Sequence, residues 1–191
     1  MEIIDLMIQE HEHVERILKV TRMICLRLME NKDIDYEDFD KIIYVIKNYA
    51  DEYHHKKEEQ ILFKAMIEHL GDTAEIVVKH GMMVEHDYGR LYIKNLEKTL
   101  DKLKNGYYEV KLDVIANAIS YTHLLERHIE KENKVVFTFA RNKLSKDVLV
   151  NLDKECVIYE NENKQSREKC LDILIDLENK LSQGDKYENY K

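Results

Sequence analysis

A chain with no proline and only five glycines in 191 residues has few places to reverse direction tightly, because hairpins draw on glycine for positive φ and on proline for a preset φ. That argues against an all-β fold. The hydrophobic residues make up 44% of the chain and recur three and four apart, the stripe of an amphipathic helix, and strand-favouring residues sit singly among Glu, Lys and Leu. The choice is then between a bundle, a coiled coil and a solenoid. Strong punctuation at a few points favours the bundle.

The first stripe runs from Ile3 to Met29 through Ile4, Met7, Val14, Ile17, Ile24 and Leu28, and a polar break at Asn31-Lys32-Asp33 follows it. The second passes through Phe39, Ile42, Ile46, Tyr53, Ile61 and Met66 and stops at Leu70-Gly71, where glycine suits a helix C-cap. Asp72 or Thr73 can cap a third helix that ends at Asn105-Gly106, and a fourth runs from about Val110 to Leu144. Short loops between long helices predict an all-α, antiparallel up-down four-helix bundle over residues 1–145. Residues 146–191 form a C-terminal helical extension, packed on the bundle or on a partner. Its stripe is diluted over Glu160 to Gln165, so it reads as one broken helix or two short ones, and the polar tail from Gln183 is expected to fray.

The chemistry lies in the spacing of histidine and glutamate. His54 and Glu58 stand four apart on the second helix, about 40° round it and roughly 6 Å along it, so they share a face. His128 and Glu132 repeat this on the fourth helix, and a phenylalanine follows each Glu by five residues, Phe63 and Phe137. The first and third helices carry a second pattern, Glu10-His11 with Arg16 and Glu85-His86 with Arg90. The intervals His11 to His54 and His86 to His128 are 43 and 42 residues, so the chain reads as two tandem helical hairpins. Each hairpin supplies one His from its first helix and a His plus a Glu from its second. Brought to one level, His11, His54, Glu58, His86, His128 and Glu132 offer six ligands to two metal ions, the two carboxylates bridging and two imidazoles capping each ion. Imidazole with carboxylate suits iron or manganese, and zinc also accepts these ligand types. His55, about 100° round from His54, Glu59 and His123 are weaker candidates, and His13 competes with His11 for the inward position.

Taken together, His11, His54-His55-x2-Glu58-Glu59 with Leu62-Phe63, Glu85-His86 with Gly89-Arg90, and His128-Ile129-x-Lys131-Glu132 resemble the hemerythrin-like HHE cation-binding domain family. The resemblance covers about residues 1–145, and the rest is similar to the C-terminal extension of bacterial members. It implies a four-helix bundle around two iron ions with a bridging oxide or hydroxide, with an open coordination position for O2, peroxide or nitric oxide. The sequence departs from the oxygen carriers of that family. Met82 and Arg90 stand four residues either side of His86 where a second histidine is used, and Asn133 stands five after His128 where the carriers have Asp.

The resulting expectation is a cytoplasmic non-haem di-iron protein that binds or senses dioxygen or a related small oxidant. The alternatives are a di-iron enzyme of oxidant or nitric oxide detoxification or of iron-centre repair, and a metal-free acidic helical interaction module. Thirty basic against 38 acidic residues give a net charge of −8 with no basic run, which argues against nucleic acid as a partner. No apolar stretch approaches the roughly 20 residues of a membrane span, and the N-terminus carries acids where a signal peptide carries positive charge. A homodimer through the C-terminal helices is the remaining partner reading. Cys25, Cys156 and Cys170 are far apart and read as buried free thiols.

Overall fold

The computed structural model describes residues 2–30 and 35–182, and the break expected at Asn31-Lys32-Asp33 and the tail from Gln183 lie outside them. Among the described residues there are five long helical rods and no strand. Helix α1 is Ile3–Met29. Helix α2 spans 36–70 and opens at Asp35, whose carboxylate accepts from Glu37 N–H as an N-cap. Helix α3 spans 72–104, α4 spans 111–143, and α5 is Lys146–Ser182. The C-terminal segment is thus one continuous 37-residue helix, where the diluted stripe allowed a break.

Gly71 joins α2 to α3 with φ 65° and ψ −149°, a conformation that only glycine adopts freely. A Cβ there would meet open space, so the cost of replacing it is backbone strain alone. Gly71→Ala is expected to lower stability by about 1–3 kcal/mol, read as a shift of the urea midpoint with unchanged m-value.

The core is divided. One apolar cluster gathers Ile17, Phe39, Ile42, Tyr49, Leu96, Ala118 and Leu174, and another gathers Ile3, Met7, Leu62, Phe63, Met66, Phe137 and Leu152. Each of the four helices of the family-like repeat crosses from one cluster to the other. On α1 the crossing lies between Met7 and Val14, on α2 between Tyr53 and Ile61, on α3 between Met82 and Ile93, and on α4 between Leu125 and Val136, where Ile129 still packs with the first cluster. Those four crossings contain His11, His54, Glu58, His86, His128 and Glu132. A buried polar layer therefore separates two apolar blocks, whose burial, about 1.5–3 kcal/mol per large side chain, offsets the desolvation of the layer.

Helix α5 lies along α1 and α2. Ile3 N–H donates to Asp153 at 2.7 Å, Arg16 makes paired bonds to Glu178 at 2.8 and 2.7 Å, and Arg27 donates to Leu181 O at 2.9 Å. Lys180 reaches Asp38 at 2.6 Å at the start of α2. Cys156 and Cys170 face inward from α5, and Cys25 lies in the core of α1; all three are free and buried. No helix among the described residues is long and apolar enough to cross a membrane.

Candidate metal centre

Helices α2 and α4 loosen at their ligand positions, whereas His11 and His86 sit in regular α-helix. Ile46–His55 and Glu58–Leu62 on α2, and Glu132–Val136 on α4, are π-helical, with Phe63 N–H bonding Glu58 O and Phe137 N–H bonding Glu132 O five residues back. The wider turn changes which neighbours share a face. It places His54, His55 and Glu58 all on the bundle interior, which a regular 3.6-residue period does not.

Two groups of side chains result, each with ligand atoms within 4.8 Å of one another and each able to hold a metal ion. One is His11, His54, Glu58 and Glu132, and the other is His55, Glu58, His86 and His128. All seven residues are buried, and Glu58 belongs to both groups. The six residues singled out by spacing meet here, and His55 joins them. Glu59 and His123 do not. Glu59 sits behind His86 and accepts from its Nδ1–H at 2.7 Å, while His123 is exposed beside Arg22. His13 turns away to Arg16 and Tyr49, leaving His11 inward.

The outer nitrogens of the imidazoles are fixed by acceptors. His54 Nδ1–H donates to Glu10 at 2.8 Å, His11 Nδ1–H to Asn133 Oδ1 at 2.7 Å and His128 Nδ1–H to Glu85 at 3.0 Å. Each such bond commits the tautomer and leaves Nε2 as the inward ligand atom. Three cations hold the carboxylates in turn. Lys57 binds Glu10, Lys131 binds Glu85, and Arg90 binds Glu59 at 2.9 Å and Asp51, next to His55, at 2.8 Å. Phe63 stacks on His86 at 6.1 Å between ring centroids and Phe137 on His11 at 5.5 Å. The aromatic after each Glu thus covers an imidazole of the other hairpin.

The inward atoms face one another with nothing to share. His54 Nε2 lies 3.5 Å from Glu58 Oε1, and His11 Nε2 lies 3.2 Å from Glu132 Oε2, lone pair against lone pair. Eight buried nitrogen and oxygen atoms among the described residues lack a hydrogen-bond partner, and every one belongs to His11, His54, His55, Glu58 or Glu132. Buried polar atoms are ordinarily satisfied, so a cluster of orphans composed only of lone-pair donors fits bound cations. The charges agree. Burial pushes His54 and His55 below the usual histidine range and His86 down to about 3, keeping them in the neutral, ligating form. Burial and the facing Glu132 push Glu58 well above the usual carboxyl range. His128 is the exception. Burial opposes its charge, but Glu132 and Glu85 on its two nitrogens hold it up, to about 9. Its Nε2 lies 3.1 Å from His86 Nε2, so without a metal a proton occupies the place of a cation.

A cavity of about 260 Å³ reaches the centre between α2, α3 and α4, with Ile46, Gly89, Ile93 and Tyr121 on its walls and His55 and His86 at its inner end. No curated protein and no solved structure matches the chain. The model of the hemerythrin HHE cation-binding domain matches residues 2–140, which holds all seven residues of the centre. With that match over most of its length, and with buried His/Glu groups built to hold cations, the chain belongs to the hemerythrin HHE cation-binding domain family.

Proposed function

We propose that the chain holds a non-haem di-iron centre and binds dioxygen or a related small oxidant, peroxide or nitric oxide, at it. His11 and His54 would hold one ion, His55, His86 and His128 the other, and Glu58 and Glu132 would join them. The observation that carries this reading is the set of eight unpartnered buried atoms, all of them imidazole nitrogens or carboxylate oxygens. A donor set without thiolate suits iron or manganese. When bound, a reduced iron pair supplies electrons to a small ligand at an open coordination position.

The chain's own residues do the rest. Glu10, Glu59, Glu85 and Asn133 orient the imidazoles and raise their basicity. Phe63 and Phe137 keep water off His86 and His11. The cavity ending at His55 and His86 gives a small molecule a path from the surface.

Elemental analysis of the protein purified without added metal, read with the visible spectrum in air and after anaerobic reduction, tests the proposal. About two irons per chain with near-ultraviolet oxo-bridge bands are expected. No bound transition metal after anaerobic iron loading overturns it.

Metal binding should also release protons. The metal must displace the proton on His128, which is held at about 9. Affinity is therefore expected to rise as pH increases from 6 toward 9 and to level off above. Calorimetry of metal binding in buffers of different ionisation enthalpy reads the released protons directly, and a pH-independent affinity would contradict this account.

A further inference from the structure

The internal repeat supplies its own control. Lys57 and Glu10 behind His54 correspond to Lys131 and Glu85 behind His128, and in both hairpins the lysine holds the glutamate that orients the histidine. Their surroundings differ. Lys57 and Glu10 are 0% and 4% exposed, whereas Lys131 and Glu85 are 48% and 19% exposed. The difference comes from α5, which lies beyond the residues matched by the family model. Its Glu160 accepts from Lys57 at 2.6 Å, contacts the Tyr53 hydroxyl at 2.7 Å and is paired with Arg167 at 2.5 Å. The same hydroxyl lies 2.7 Å from Glu10. Two carboxylates, two cations and one phenol thus close over the back of His54, and Tyr159 of α5 ties off the edge through its hydroxyl to Glu52 O at 2.9 Å. Among the described residues nothing equivalent covers His128. The cavity, independently, opens onto His55 and His86 and not onto His11 or His54.

Release of a metal ion requires that its histidines swing or protonate and that water or a competing ligand reach it. Both are hindered more strongly on the side that α5 covers. We propose that α5, acting through Glu160 as a positioning residue, makes the two metal positions kinetically unequal. The ion at His11 and His54 is retained, and the ion at His55, His86 and His128 is the one that exchanges with solution. The third imidazole, His55, adds affinity to the open position without closing its path. This inference rests on the two-ion reading above.

The test uses the full chain loaded anaerobically with ferrous iron and mixed with an excess of a chromogenic ferrous chelator. Two phases of equal amplitude are expected. Glu160→Gln should accelerate the slow phase by about tenfold or more and leave the fast phase unchanged, in the range found when groups orienting metal-bound histidines are removed. Glu85→Gln should accelerate the fast phase alone. Glu178→Gln, which removes the Arg16 contact that ties α5 to α1, loosens the helix away from the centre and should change neither. Should Glu160→Gln not fold, Tyr53→Phe deletes only the hydroxyl between Glu10 and Glu160 and carries the same expectation. Two irons that leave in one phase, or a Glu160→Gln effect spread equally over both phases, overturn the inference and leave the di-iron reading standing. A chain that binds no iron overturns both.

Discussion

Glu58→Met is expected to abolish stable binding of the metal pair while making the metal-free chain more stable. Glu58 is fully buried, it belongs to both ligand groups, and its two oxygens lie 3.5 Å from His54 Nε2 and 3.6 Å from His86 Nε2 with no hydrogen bond to either. Without it each half of the centre loses the ligand they share, so affinity should fall by more than the 10- to 100-fold typical of removing an orienting group. The stability effect has the opposite sign. Two unsatisfied carboxylate oxygens cost about 1–3 kcal/mol when buried, and methionine fills the same volume without that cost. Urea unfolding in the presence of a chelator should therefore show the variant more stable by about that amount, and the advantage should vanish or reverse when iron is added to both proteins. The pH dependence fixes the cause. Because burial pushes the Glu58 carboxyl up, the stability its proton confers is present at low pH and is lost as pH rises through that raised value, and the variant should lack this loss. A metal-free variant less stable than the parent at neutral pH would show that Glu58 is satisfied in some other way.

Lys57→Met is expected to be the more damaging change to the fold, and Lys131→Met to be nearly silent. Both lysines hold the glutamate behind a site histidine, at equivalent positions of the repeat. Lys57 is fully buried, and its loss strands the buried Glu10 beside the half-buried Glu160, which keeps only Arg167, a change of the kind that costs about 3–5 kcal/mol. Lys131 is 48% exposed, so water replaces it and the cost should stay within about 1 kcal/mol. Paired urea melts of the two variants measure the difference. Equal losses would mean that α5 does not seal the Lys57 side.

The sequence announced the bundle through its punctuation and the centre through its duplication. Gly71 and Gly106 stand at positive φ where the helices were expected to stop, and His11, His54, Glu58, His86, His128 and Glu132 meet in one layer. His55 is harder to place, because a 3.6-residue period sets it about 100° from His54 and the helix there is π-helical; no residue type marks that change in advance. Lys57 was invisible for another reason. It lies in a run of charged residues that reads as a solvated face, and its burial depends on α5, more than 100 residues away in the chain. The same contact explains the stretch at Glu160 that diluted the stripe of α5. Glu160 is a partner of Tyr53 and Lys57, and the helix passes through it without a break. Asn133, a departure from the oxygen carriers in sequence, is the acceptor that orients His11.

The three cysteines bear on how the chain would withstand an oxidant. Burial pushes Cys25 up to about 12 and Cys156 and Cys170 up to about 11, so none carries a thiolate at neutral pH. Thiolate, not thiol, attacks peroxide, and sulfenic acid formation follows thiolate character and exposure. An oxidant entering this molecule therefore finds no thiolate among the described residues, and wear by repeated exposure should fall on methionine, with the exposed Met29 oxidised before any cysteine.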